Sequence, residues 1–113
     1  MSFDALRSTA RRLVDLLTHE DYVLAVEYCA KSRLSSDDLR NVIREYGRKL
    51  APPPLDAYNN LDAVQVKSAV VPTWSVRVPL WTKEEGRSDL TLELTIALDS
   101  GVQKVELDDL HVP

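Results

Sequence analysis

The stretch Trp81–Leu98, WTKEEGRSDLTLELTIAL, decides the fold. Leu90, Leu92, Leu94, Ile96 and Leu98 fall at every second position, with Thr91, Glu93 and Thr95 between them. Successive side chains of a strand point to opposite faces, so this period of two describes a strand with one apolar and one polar face. The apolar face has to be covered by another layer. In front of the strand, the seven residues Lys83–Asp89 read as a charged hairpin loop, in which Gly86 permits the turn.

Working backwards from that loop, Trp74, Val76, Val78 and Leu80 alternate in the same way, and Val64, Val66 and Val70 do so more loosely. Forwards, Asp99-Ser100-Gly101 reads as a tight turn and Val102–Leu107 as a fourth strand. Connections this short favour an antiparallel meander.

The first half of the chain has a different period. Phe3, Leu6, Ala10, Leu13, Val14 and Leu17 recur at steps of three and four, one face of a helix. Thr18 and Asp21 resemble a cap for a second helix over about His19–Arg33, with Tyr22, Val26, Cys29 and Ala30 inward. Ser35 or Ser36, with Asp37 and Asp38, caps a third helix whose apolar face is Leu39, Val42, Ile43, Tyr46 and Leu50. Ala51-Pro52-Pro53-Pro54 is expected to end it, since proline lacks the N–H that a continuing helix needs. The fold class is therefore α+β: three N-terminal helices packed on one face of a four-stranded antiparallel meander. Residues 1–113 read as one domain, with helices over about 3–50, a loop over 51–61 and the sheet over about 62–112.

Composition narrows the function. No apolar run approaches the roughly 20 residues of a membrane span, and the N-terminus lacks the apolar core and cleavage site of a secretory signal. A single cysteine, Cys29, allows no internal disulfide and suits a cytoplasmic protein. Residues 51–113 carry five Lys/Arg against ten Asp/Glu, while residues 1–50 carry nine against eight. That balance argues against nucleic acid, which calls for a basic footprint. No glycine-rich phosphate loop, nucleophile elbow or paired-histidine zinc motif occurs, so no catalytic residue, cofactor or metal is expected. Asp108, Asp109 and His111 bring oxygen and imidazole ligands close together but fall short of a full ligand set. Arg40, Arg44 and Arg48 make a basic stripe on the third helix, read as a solvated face, and Cys29 reads as a small buried thiol.

The candidate contact residues cluster around the opening stretch. Trp81, Glu84, Glu85, Arg87 and Asp89 are the residues expected to meet a partner, because exposed aromatics anchor interfaces and the acids could hold a basic one. Two readings of Trp81 stay open: it shares the outer face with Pro79, or a bulge near Pro79 turns it inward. The loop likewise reads either as a contact site or as a solvated hairpin that keeps its strand from pairing elsewhere. Neutralising Glu84, Glu85 and Asp89 together is expected to weaken partner binding with almost no change in melting temperature.

Two helices, the Leu34–Leu39 helix start and the antiparallel strands resemble a compact NTF2-like (cystatin-like) domain. The run LWTKEEGRSDLTLEL, with the ending Leu107-Asp108-Asp109-Leu110-His111-Val112, is similar to a small uncharacterised bacterial domain family of about this length. The first resemblance implies enzymes, ligand binders or dimerisation modules, whose enzymatic members keep acid–base groups between helices and sheet. Here the inward strand positions are Leu, Ile and Val. The expectation is a small cytoplasmic bacterial interaction module, of immunity or accessory type, that binds another protein. The alternative is an NTF2-like small-molecule binder or enzyme with His19 or Tyr58 at the mouth of its pocket. A homodimer through the polar sheet face is compatible with either.

Overall fold

A computed structural model describes residues 3–113; Met1 and Ser2 lie outside the described residues. Among the described residues, three α-helices, α1 (Phe3–Thr18), α2 (Tyr22–Tyr28) and α3 (Ser36–Tyr46), accompany six strands. The strands are β1 (Lys31–Ser32), β2 (Leu50–Ala51), β3 (Asp62–Gln65), β4 (Thr73–Thr82), β5 (Gly86–Asp99) and β6 (Val102–His111). The sheet runs β1-β6-β5-β4-β2, and β3 pairs with the same edge of β4 as β2 does, at a different stretch of that strand. Strands β3 to β6 pair antiparallel in chain order, whereas β1 lies parallel to β6. Six strands replace the expected four. The two additions are only two residues long, too short for any alternation to show.

The inward residues interlock as one apolar layer. Leu6, Leu13 and Leu17 of α1 and Leu39 of α3 are fully buried, as are Val76, Leu92, Leu94, Ile96 and Leu107 of the sheet. Thr9 of α1 donates its hydroxyl hydrogen to the Gln103 side chain, tying that helix to β6. On β3 the expected face is reversed: Ala63, opposite Val76, packs on the core, and Val64 is exposed. The loose alternation of small valines there does not fix a phase by itself; pairing with β4 sets it.

The helix ends differ from expectation for local reasons. Ser35 and Asp38 form a reciprocal capping box, Ser35 Oγ accepting from Asp38 N at 3.1 Å and Asp38 Oδ2 from Ser35 N at 2.9 Å. Gly47, at φ +76°, closes α3 in the left-handed region, so this helix stops before the prolines. Leu50 becomes strand. Thr18 caps nothing: its hydroxyl donates to Val14 O at 2.8 Å within α1, and Asp21 makes no side-chain cap bond. Helix α2 spans seven residues rather than fifteen because Ala30 N and Arg33 N are drawn to Val105 O and Leu107 O of β6.

Candidate functional site

The hairpin loop between β4 and β5 is three residues long, Lys83–Glu85, not seven. Thr82 faces Gly86 across it, and Gly86 takes φ +73°, the left-handed residue that closes a three-residue hairpin. Farther along, Pro79 pairs with Thr91 but Trp81 with Arg87, so three residues of β5 oppose Leu80 alone. Ser88 repairs this irregularity. Its buried hydroxyl donates to Leu80 O at 2.8 Å and accepts from Leu90 N at 3.2 Å. Because β5 carries two extra residues, its alternation survives, and Trp81 stays beside Pro79 on the outer face, half-buried. The tryptophan ring lies 3.6 Å from where a side chain on Gly86 would begin.

The five expected contact residues divide between two sides of the hairpin. Trp81, Arg87 and Asp89 line the outer side. Glu84 and Glu85 turn towards α3 and β2: Glu84 Oε1 accepts from Lys49 N at 3.1 Å, and Glu85 accepts from Tyr46 Oη at 2.8 Å and Thr82 Oγ1 at 3.2 Å. These carboxylates clasp the hairpin to the helical layer. Neutralising them should therefore lower stability, contrary to the expectation of an unchanged melting temperature.

On the outer face, strand register builds a charged row. Asp62 of β3 faces Arg77 of β4, Arg77 faces Glu93 of β5, and Glu93 faces Asp109 of β6. Beside it run Pro79, Thr91 and His111, then Trp81 and Arg87. Two grooves of about 550 and 250 Å³ meet here, sharing Asp62, Arg77, Pro79 and Arg87 in their walls. Asp89 lines the larger and Trp81 the smaller.

A second bulge decides what β6 contributes. Leu94 pairs with Leu107, but Glu93 pairs with Asp109, leaving Asp108 as the extra residue. Its carboxylate accepts from Thr95 Oγ1 at 2.6 Å. Without that extra residue, strict alternation would send His111 inward and Leu110 outward. Instead Leu110 is buried, and the imidazole of His111 meets Glu93 through Nε2 and lies 3.5 Å from Asp109 Oδ2 through Nδ1. Glu93 is the member that inspection of Asp108–His111 misses. The consecutive pair Asp108-Asp109 between two leucines was the available sign of a bulge.

The two residues offered for a pocket mouth, His19 or Tyr58, border different grooves. His19 is exposed on a groove of about 880 Å³ on the helical side, where Arg40, Arg44, Arg48 and Lys49 also lie. Arg40 there pairs with Asp37 at 2.6 Å and sits over the Tyr22 ring. Tyr58 borders the smaller sheet groove; it is buried, and its hydroxyl finds no partner among the described residues. Burial raises its phenol to about 12 and the Cys29 thiol to about 11, so both are protonated near neutrality. Cys29 donates to Ala25 O at 3.4 Å and is unsuited to nucleophilic attack.

Residues 14–113 match a family described as a domain of unknown function, DUF7668. The chain belongs to that family. The DUF7668 match begins within α1 and takes in all six strands, both sheet grooves and the Glu93–His111 pair. No curated protein and no solved structure matches the chain. No described helix is long and apolar enough to cross a membrane.

Proposed function

We propose that the protein is a small non-catalytic module that binds another protein through the outer face of its sheet. One observation carries this reading: the inner face is filled by interlocking apolar side chains, whereas the outer face joins Trp81 and Pro79 to Arg77, Arg87 and Asp89 around continuous grooves. A half-buried aromatic among arginines is the composition of an interface anchor. An immunity or accessory role in a bacterial cytoplasm is the form this reading takes, within an NTF2-like architecture that the helix–helix–strand–helix order supports.

The test is site-specific photo-crosslinking in the native host. A photoreactive residue at Trp81 should capture a defined protein, and the same probe at Val23, exposed on α2, should not. Arg87→Glu should abolish the adduct. Equal capture from both positions would sink the reading, and cross-links between two copies of this chain would assign the face to a homodimer instead.

The buried, unpartnered Tyr58 hydroxyl favours a second reading, in which a small molecule beside the Leu55–Tyr58 turn supplies the missing hydrogen bond. A metabolite screen by thermal shift addresses it, because a ligand selective for the folded chain raises the melting temperature. No stabilisation in the wild type, or equal stabilisation of Tyr58→Phe, would count against it.

A further inference from the structure

Glu93, Asp109 and His111 come from two strands, and one ligand atom from each lies within 4.8 Å of the other two. Each carboxylate is steadied through one oxygen and offers the other. Glu93 Oε1 lies 3.7 Å from Arg77 Nε, and Asp109 Oδ1 accepts from Leu110 N at 2.8 Å. That leaves Glu93 Oε2 and Asp109 Oδ2 facing the two ring nitrogens of His111. Anchoring a ligand's second atom from outside is how proteins orient groups towards a metal.

The imidazole supplies the third ligand atom through one of its ring nitrogens, a softer donor beside two carboxylate oxygens. The three side chains are all partly exposed, so an ion can enter and keep water in its remaining positions.

We propose that Glu93, Asp109 and His111 form a site for one divalent transition-metal ion on the outer face of the sheet, with zinc as its representative. One imidazole nitrogen with two carboxylate oxygens suits zinc, manganese or cobalt; calcium and magnesium favour oxygen alone. Arg77 offsets part of the Glu93 charge, which moderates the affinity. Asp108 is already engaged by Thr95 and is not counted as a ligand. The site stands whether or not this face also docks a protein.

The test uses the full untagged chain and zinc chloride alone. Calorimetry should give one zinc per chain, and ring-nitrogen NMR of the wild type should show His111, not His19, shifting as zinc is added. Glu93→Gln and His111→Gln should each weaken binding by at least about tenfold, with His19→Gln unchanged. The wild-type NMR titration keeps the question answerable even if a variant misfolds. Absence of a zinc-dependent shift at His111 overturns the site. Zinc binding retained by both variants, or lost in His19→Gln, overturns it equally.

Discussion

Single side chains repair defects that the backbone pairing leaves behind, and Ser88 is the clearest case. Its one hydroxyl serves both Leu80 O and Leu90 N inside the β4–β5 irregularity. Ser88→Ala strands two buried backbone groups, so urea unfolding should show a loss of about 1–3 kcal/mol. Tyr58 predicts the opposite sign. Its buried hydroxyl has no described partner, so Tyr58→Phe should leave stability unchanged or raise it by about 1 kcal/mol. The clasp formed by Glu85 is weaker because it lies near solvent. A double-mutant cycle of Glu85→Gln with Tyr46→Phe should give a coupling of about 0.5–1 kcal/mol, and zero coupling would return Glu85 to a free surface role.

Among the elements, legibility followed length. Strands β4 and β5 run for ten and fourteen residues, long enough for a period of two to override propensity. Strands β1 and β2 have no period to read, and helix α2 was overestimated because Ala30 and Arg33 are claimed by β6, a tertiary effect. At the candidate site, the face of Trp81 stayed open and Arg87 and Asp89 read as loop, because the bulge opposite Leu80 and the extension of β5 to Gly86 depend on pairing with β4. The meeting of Glu93 with His111 was not legible either, since it depends on one extra residue in the neighbouring strand β6. Of the two expected caps, the one on α3 forms through Ser35 and the Thr18–Asp21 one does not; Ser35→Ala should cost about 0.5–2 kcal/mol by thermal melting. Leu94, fully buried at the centre of β5, should cost about 2–5 kcal/mol when cut to alanine.

For the molecule as a whole, alkali is the predicted weakness. The folded chain holds Cys29 protonated to about 11 against an ordinary 9.0, and Tyr58 to about 12 against 10.0. Both groups are neutral when protonated, so the unfolded chain releases their protons first as pH rises. Their contribution is intact below about pH 9 and is lost as pH climbs through the folded values. Urea midpoints should fall across that window, and Cys29→Ala combined with Tyr58→Phe should flatten the decline. The parallel pairing of β1 with β6 also sets an order of events in time. Lys31 and Glu106 come from opposite thirds of the chain, so closing the loop between them carries a large entropic cost, whereas the β4–β5 hairpin closes locally. The hairpin should belong to the folding nucleus and the β1–β6 seam should zip last. Substitutions at the seam should therefore speed unfolding while barely slowing refolding, and stopped-flow chevrons would read that asymmetry directly.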